Sequence, residues 1–271
     1  MFAGHVDIVP PGNMKDWTVN PFKPSIKNGH LIGRGANDMK SSVAAFVSAV
    51  STFLSKNKKF NGSISLLITG DEEGDAVNGT KKVVEYLKKR KERINFCLVG
   101  EPTNPNKLGE MIKIGRRGSI TGKIKIIGEQ CHVAYQHRGN NPSTTLVQIL
   151  KEIKDIKFDK GNKHFQPTNL EVTKINIKND ADNVIPGSAE ATFNIRFNNR
   201  HSSNSIKRRL NKIFKKITKK NESKFKIDYR VSGEAFLTKP NKTTFMIQNI
   251  IKKITKLKPK LSTTGGTSDL R

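Results

Sequence analysis

Strand-like and helix-like segments alternate through residues 1–100 of this chain. Short apolar runs bounded by turn residues predict strands, and apolar residues recurring every three or four positions predict helices. The predicted strands are 2–9, 63–69 and 96–100, and the predicted helices are 39–54 and 81–90. Such alternation favours an α/β fold built on a mainly parallel sheet with helices on its faces.

The pattern changes at Gly118. From there the predicted order is strand, helix, strand, strand, helix, strand, which is the β-α-β-β-α-β order of ferredoxin-like folds. In the second helix of this set the apolar residues form one stripe and the lysines face water. The segments are 118–128, 143–153, 169–177, 189–197, 206–220 and 225–233, and a further helix is predicted at 243–257. We therefore predict an α/β domain from residues 1–117 and 234–271, interrupted by a ferredoxin-like domain at 118–233.

Charge is the strongest compositional signal. The chain has 50 Lys and Arg residues against 23 Asp and Glu, a net charge of +27, and such a field favours polyanions. The basic residues lie mostly in predicted helices, and no RNP-like pattern, zinc finger or GxxG clamp accompanies them. The sequence favours a solvated basic surface over a nucleic-acid partner.

Location and redox state follow from simple absences in the sequence. No apolar stretch approaches the roughly 18 residues of a membrane span, and no signal-like segment follows Met1. We therefore expect a cytoplasmic protein. Cys97 and Cys131 are the only cysteines, too few for a disulfide framework and not spaced as CxxC, so free thiols are expected.

His5 and Asp7 form the first candidate site. They stand two positions apart in a predicted strand, so both side chains leave the same face. Such a pair suits a metal ligand whose imidazole tautomer is fixed by a carboxylate.

Further acids recur where strands end or helices begin. Asp38 precedes a predicted helix, Glu72 and Glu73 follow a strand directly, and Glu101 follows the next strand. Individually these acids are also explained as a helix N-cap, a solvated turn and a loop acid. Together they fall at the carboxyl edge, where open α/β sheets build their sites. One imidazole with several carboxylates suits zinc, or cobalt or manganese, and predicts a two-metal hydrolase.

A family resemblance runs from Phe2 to Asp269 and is carried by eight segments. These are GHVDIVPPG, GRGANDMK, DEEGDAVNGT, CLVGEPT, GRRGS, HVAYQH, NVIPG and TTGGTSD. In order and spacing they resemble the M20 family of di-zinc amidohydrolases. Three of them, GRRGS, HVAYQH and TTGGTSD, resemble the members that remove a succinyl group from diaminopimelate more than the deacetylases or aminoacylases. The family fold is a zinc-binding α/β domain interrupted by a ferredoxin-like lid that forms a homodimer.

The resemblance implies a role for each candidate residue of the metal site. By this resemblance His5 and Glu101 bind one zinc ion, Asp38 bridges both ions, Glu73 binds the second, Asp7 orients His5, and Glu72 is the general base. The implied reaction is attack by a metal-bound hydroxide on an amide carbonyl.

Other residues are implied to act on the substrate. His132 would stabilise the oxyanion in the partner subunit's active site. The residues implied to hold substrate carboxylates and backbone are Arg116, Ser119, Asn183, Arg196, Gly266 and Thr267.

The chain also departs from the family pattern. Cys131 stands where the family has glycine, Gln136 where it has proline, and Asp182 where it has asparagine. An inward-pointing acid at position 182 would repel a dicarboxylate. The family chain also begins earlier and continues past GGTSDLR to a histidine of the second zinc site, so we expect one tight zinc site, one weak site and impaired activity. The alternative is a non-catalytic basic remnant that binds polyanions or an intact homologue.

Overall fold

The computed structural model of the chain describes residues 1–74 and 76–266, which fall into two compact units. Unit 1 comprises Met1–Pro105, and unit 2 comprises the described residues from Asn106 onward. The sequence predicted an α/β domain from 1–117 and 234–271 and an inserted ferredoxin-like domain at 118–233. These domain boundaries stay a prediction.

Unit 1 is an α/β unit. Its longer helices are α1 (Ser41–Lys56) and α2 (Thr80–Lys89), and short helical turns occupy Met14–Asp16 and Ala36–Lys40. Its strands are β1 (Phe2–His5), β2 (Ser25–Lys27), β3 (His30–Ile32), β4 (Leu66–Thr69) and β5 (Leu98–Val99).

Strand β1 is the centre of unit 1. The sheet order is β4-β1-β5 with both neighbours parallel to β1, and every residue of β1 is buried. The Phe2 ring stacks on Phe46 of α1 with 4.3 Å between ring centroids. Gly4 lets Met39 approach the strand, since a Cβ there would lie 2.8 Å from the Met39 Cε. The central strand is therefore fixed by packing against α1 and the turn before it, on the face that Phe2 and Gly4 share.

The strand predicted at 2–9 is shorter in the structure. Pairing with β4 ends at His5 opposite Thr69, and the last bond is from Val6 N–H to the Thr69 carbonyl. The chain then leaves the sheet, and Pro10 and Pro11 have no N–H with which to extend the ladder. The alternating apolar residues thus continued past the point where a partner strand was available.

Unit 2 carries the second set of elements. Its helices are α3 (Pro142–Lys154), α4 (Ser203–Lys220) and α5 (Lys242–Thr255), with a 3-10 segment at Val133–Arg138. Its strands are β6 (Met111–Lys113), β7 (Gly115–Arg116), β8 (Gly118–Ile127), β9 (Cys131–His132), β10 (Asn169–Asn176), β11 (Val184–Ile185), β12 (Ser188–Phe197), β13 (Lys224–Gly233), β14 (Phe236–Leu237) and β15 (Lys260–Ser262).

A four-stranded antiparallel sheet forms the core of unit 2. The strand order is β10-β12-β8-β13, and α3 and α4 pack together on it. The chain order β8, α3, β10, β12, α4, β13 is the β-α-β-β-α-β order. Fully buried apolar side chains such as Ile124, Phe193 and Phe214 fill the space between sheet and helices. The strict alternation of buried and partly exposed residues in β12 gives the sheet one apolar face.

Several short pairings have no counterpart in the sequence prediction. They are β2 with β3, β6 with β15, β7 with β14 and β9 with β11. The β2–β3 hairpin turns at Asn28 and Gly29, which have φ of 53° and 76°, and an Asn-Gly pair favours such a turn.

Among residues 1–74 and 76–266, no helix combines the length and apolar character needed to cross a bilayer.

A buried carboxylate ties together the loop after α3. Asp159 accepts hydrogen bonds from the backbone N–H of Gly161 (2.6 Å) and Thr168 (3.3 Å) and from Nδ2 of Asn198 (2.6 Å). Its carboxylate also lies 3.0 Å from the Nε2 atom of His201. Burial by itself would raise the pKa of Asp159, but the hydrogen bonds outweigh burial and lower this pKa to about 2. The ionised form is therefore the one the fold stabilises.

This carboxylate predicts a specific pH dependence of stability. Because the folded-state pKa lies below the ordinary value of 3.8, the stabilisation is present above about pH 4 and is lost as the pH falls towards 2. Asp159→Asn should lower the free energy of unfolding at pH 7 by about 2 kcal/mol, and its deficit should shrink in acid. Urea unfolding at several pH values measures this. The exposed Asp180→Asn control should change stability by less than about 0.5 kcal/mol. A deficit for Asp159→Asn that is constant down to pH 2.5 would contradict the assignment.

Candidate metal centre

The candidate residues of unit 1 lie at the carboxyl ends of its three parallel strands, on one edge of the sheet. His5 is the last residue of β1, Glu72 and Glu73 follow β4, and Glu101 follows β5. Asp38 lies in the helical turn Ala36–Lys40 before α1. Since β1, β4 and β5 run in the same direction, their carboxyl ends meet, and this is where open α/β sheets place their sites.

The His5 ring is held in one orientation. Its side chain is 2% exposed, and its Nδ1 atom lies 3.0 Å from the Asp7 carbonyl oxygen and 3.4 Å from Asp7 Oδ1. With Nδ1–H donating to that carbonyl, Nε2 keeps its lone pair and is the metal-binding atom. Nε2 lies 3.2 Å from Asp38 Oδ1 and 3.6 Å from Glu101 Oε1. Asp7 thus lies where an orienting carboxylate has to be.

The structure brings all the sequence-predicted metal-site acids close to His5. The possible ligand atoms of His5, Asp38 and Glu101 lie within 4.8 Å of one another, and so do those of His5, Glu72 and Glu73. Glu72 is as well placed as Glu73 to reach an ion, so geometry alone does not separate a ligand from a base. One imidazole with carboxylates fits a divalent ion such as zinc. The individual ligand and base roles stay predictions.

The carboxylates crowd one another electrostatically. Burial, followed by the charges of Asp38 and Glu72, raises the pKa of Glu101 to about 7. Burial and the charge of Asp38 likewise raise the pKa of Glu73. For His5, burial lowers the pKa, but the hydrogen bond to the Asp7 carbonyl and the charges of Glu101 and Glu72 raise it by more. A divalent cation among these groups would stabilise their ionised forms, so the charge distribution also fits a metal.

Asp7 holds a second element besides His5. Its Oδ2 atom accepts a hydrogen bond of 2.9 Å from the backbone N–H of Glu73. Asp7 therefore fixes two elements: its carbonyl oxygen holds the imidazole at the end of β1, and its carboxylate holds the loop that follows β4. The i, i+2 spacing indicated the first contact, and nothing in the sequence indicated the second.

An aromatic and arginine clamp anchors the loop after β1. Trp17 donates from Nε1 to the Pro11 carbonyl at 2.9 Å, and Arg34 donates from Nη2 to the same oxygen at 3.3 Å. The Arg34 guanidinium lies 5.1 Å from the Trp17 ring centroid. Sequence reasoning missed both residues, although Trp17 is the only tryptophan of the chain. The clamp connects the loop that carries Asp7 to the segment that precedes Asp38.

In unit 2, His132 lies beside Asn183. Strands β9 and β11 pair, and Asn183 Nδ2 lies 3.3 Å from His132 Nε2. The His132 Nδ1 atom accepts a hydrogen bond from the backbone N–H of Ala134 at 3.1 Å, so the ring proton of the neutral imidazole is on Nε2. His132 is exposed, and with its proton on Nε2 it can pair with Asn183 only through the oxygen of that amide, since Nε2–H and the NH2 group are both donors.

The other predicted substrate residues of unit 2 lie in two places. Ser119 and Arg196 are directly opposite each other on β8 and β12, whereas Arg116 is buried and donates to the Thr264 carbonyl at 2.9 Å. Gly266 is exposed, and Thr267 lies outside the described residues.

The three departures from the family pattern lie in or beside the His132 region. Cys131 directs its thiol to the Tyr135 carbonyl at 3.6 Å, and Gln136 and Asp182 are exposed.

Comparison with known proteins decides the family. The model of peptidase family M20/M25/M40 matches residues 1–271. The chain belongs to this family. It is 76% identical over 271 residues to a succinyl-diaminopimelate desuccinylase from Pelagibacter ubique strain HTCC1062, covering 100% of this chain and 71% of that protein. It is also 50% identical over 270 residues to a protein of the same name from Parvibaculum lavamentivorans, covering 68% of its length.

Solved structures of M20 proteins share the fold at low sequence identity. An aminopeptidase PepT from Bacillus cereus matches 99% of this chain and 67% of its own, with a TM-score of 0.78 and 18% identity. An M20 metallo-carboxypeptidase from Sulfolobus solfataricus matches 99% of this chain and 72% of its own, with a TM-score of 0.76 and 19% identity. At these identities the likeness establishes the M20 fold, a mixed α/β architecture.

Asp7 should affect metal affinity rather than folding alone. Asp7→Asn removes the charge and replaces one carboxylate oxygen by an NH2 donor, which must face either the His5 Nδ1–H or the Glu73 N–H, so zinc affinity should fall about 10- to 100-fold. Calorimetric zinc titration of chelator-treated protein measures this. Asp16→Asn, an exposed acid in the same loop, is the matched control and should bind zinc like the unmodified chain. Equal zinc affinities for the two variants would contradict the role of Asp7.

The clamp of Trp17 and Arg34 should affect zinc affinity because it fixes the position of the loop that carries Asp7. Trp17→Phe keeps the ring for Arg34 but loses the N–H, and Arg34→Lys keeps the charge but loses the planar fork. Each should weaken zinc binding about 2- to 10-fold, the value of one hydrogen bond, and together they should lose less than the product.

The control for the clamp is a matched pair at the C-terminal end of α2, where the Arg90 guanidinium lies 5.6 Å from the Tyr86 ring centroid. Tyr86→Phe and Arg90→Lys should leave zinc affinity unchanged. A clamp effect on melting temperature without any effect on zinc affinity would refute the positioning role.

Proposed function

We propose that this chain is a zinc-dependent amidohydrolase that acts on N-succinyl-LL-2,6-diaminopimelate. The products are succinate and LL-2,6-diaminopimelate, an intermediate of lysine and peptidoglycan precursor biosynthesis. The observation that carries the proposal is the convergence of His5 Nε2 with the carboxylates of Asp38 and Glu101 at one sheet edge, 3.2 and 3.6 Å away. The identity of 76% to a protein named for this activity supports the choice of substrate.

The ligand set of the proposed centre is formed by residues of unit 1. His5 and Glu101 would hold one ion, Asp38 would bridge it to a second, and Glu73 would bind that second ion. When bound, zinc polarises the amide carbonyl and lowers the pKa of a water to about 7, and cobalt can take the same donors. Asp7 keeps the His5 proton on Nδ1, so that Nε2 stays available throughout.

Glu72 is proposed as the general base. It takes a proton from the attacking water, the water oxygen bonds to the succinyl carbonyl carbon, and the C–N bond breaks. Glu72 then passes the proton to the leaving amine, so atoms and charges balance. Its place in the donor group with His5 and Glu73 puts it within reach of a bound water.

Substrate carboxylates are the proposed partners of the cations in unit 2. Arg116 and Arg196 offer planar guanidinium forks that match a carboxylate, and Ser119 stands opposite Arg196 on the sheet. Asn183, Gly266 and Thr267 complete the set that the family resemblance implies.

The ferredoxin-like region 118–233 is proposed as a lid through which the chain forms a homodimer. Its His132 would then serve the oxyanion of the partner subunit's reaction. A cytoplasmic location belongs to the same proposal.

The competing function is a non-catalytic protein that acts through its basic surface. The net charge of +27 is the observation that favours it. The two functions differ in whether zinc-loaded protein releases succinate.

A substitution of Glu72 should separate the effect on catalysis from the effect on metal binding. Glu72→Gln should lower kcat for succinate release about 10²- to 10⁴-fold while zinc affinity changes little, because the proton carrier is lost. His5→Ala should lose both zinc and activity. Glu85→Gln, an exposed acid on α2, should change neither. Zinc-loaded protein that releases no succinate would refute the proposed reaction, and full activity in Glu72→Gln would refute the base.

A further inference from the structure

Helix α4 of unit 2 carries an unusual concentration of positive charge. Between Ser203 and Lys220 it contains eight basic residues and no acid. They are Lys207, Arg208, Arg209, Lys212, Lys215, Lys216, Lys219 and Lys220. Neither the metal centre nor the proposed substrate site uses any of them.

Four of these residues form a straight row. Arg208, Lys212, Lys215 and Lys219 recur at i, i+4, i+7 and i+11, which places them on one side of the helix. All four are exposed. At about 1.5 Å per residue the row is roughly 16 Å long.

The row faces away from the core of unit 2. The opposite side of α4 carries Ile206, Leu210 and Phe214, each at most 1% exposed and packed with the four-stranded sheet. The orientation of the helix is therefore fixed by its apolar stripe, and the four cations lie on its solvent-exposed side.

No acid in the described part of the chain is paired with the row. Among the described residues, none of the four side chains forms an ion pair or a hydrogen bond. By contrast, Lys207 lies over the Tyr229 ring at 5.6 Å and Arg209 over the Phe158 ring at 5.2 Å. Like charges at i, i+4 destabilise a helix, so an external anion along the row would relieve repulsion.

Although the sequence alone favours a solvated basic surface, the aligned row on α4 is a specific arrangement. We propose that the row Arg208, Lys212, Lys215 and Lys219 is a docking surface for the phosphate backbone of a nucleic acid. A duplex strand carries one negative charge per about 3.4 Å, so the row spans about five phosphates. No exposed aromatic side chain lies between residues 203 and 220, so bases are not stacked and binding is independent of sequence.

An anionic membrane fits this surface less well. Helices that bind in the lipid interface insert an apolar face next to their cations. In α4 the apolar face is occupied by the core of unit 2. A linear polyanion needs only the exposed row.

The test compares two variants of equal net charge. In the first, Arg208, Lys212, Lys215 and Lys219 are changed to glutamine. In the second, Lys81, Lys82, Lys88 and Lys89, exposed on α2, are changed to glutamine. Each variant removes four charges from the +27 of the chain. Binding of the full chain to a fluorescent 20-base-pair DNA is measured by anisotropy from 50 to 200 mM salt.

The α4 variant should bind DNA at least 10-fold more weakly at 50 mM salt, and its slope of log K against log salt should be smaller by about 3 to 4. The α2 variant should lose less than 2-fold. Circular dichroism spectra must match, so that loss of fold does not explain the result. Equal losses in both variants would show that only net charge acts and would overturn the proposal. Stronger binding of the unmodified chain to vesicles with 30% anionic lipid than to DNA would overturn it in favour of a membrane.

Discussion

The two hydrogen bonds of Asp7, one to the His5 ring and one to the Glu73 backbone, are the interactions on which the metal centre depends. The Asp7 carbonyl oxygen lies 3.0 Å from Nδ1 of His5 and the Asp7 carboxylate accepts the backbone N–H of Glu73, so one residue positions groups from two strands. Because these groups come from β1 and from the loop after β4, the parallel pairing of the two strands is what makes the arrangement possible. The clamp of Trp17 and Arg34 on the Pro11 carbonyl then fixes the loop that carries Asp7.

The same geometry places charges where they repel. Burial with the charges of Asp38 and Glu72 raises the pKa of Glu101 to about 7, and Glu73 is shifted in the same direction. Carboxylates in such a site are costly to ionise unless a cation is close. The carboxylates at the sheet edge thus repel one another, and a bound divalent ion would relieve that repulsion. The Asp159 site of unit 2 is the opposite case, since hydrogen bonds alone stabilise its ionised form.

The sequence predicted which long helices and strands exist better than it predicted where they end or which short strands pair. The helices predicted at 81–90 and 206–220 correspond to α2 and α4, because an apolar stripe at helical spacing leaves few alternatives. The strand predicted at 2–9 ends at His5, since the extent of a strand depends on its partner and not on its own pattern. Pairs such as β6 with β15 join residues far apart in the chain, and three-residue strands carry too little periodicity to be recognised.

For the candidate site, the sequence by itself determined which residues can do the chemistry and that they follow consecutive strands. Residue type and position after a strand are local properties, and parallel strands bring their ends together whatever the loops do. Only the tertiary structure decided that Asp7 also bonds the Glu73 backbone, that Trp17 and Arg34 share one carbonyl, and that Glu72 reaches the same group of ligands as Glu73. These contacts depend on loop paths and on distances between residues separated by many positions. No local pattern encodes such distances, because packing of the whole unit sets them.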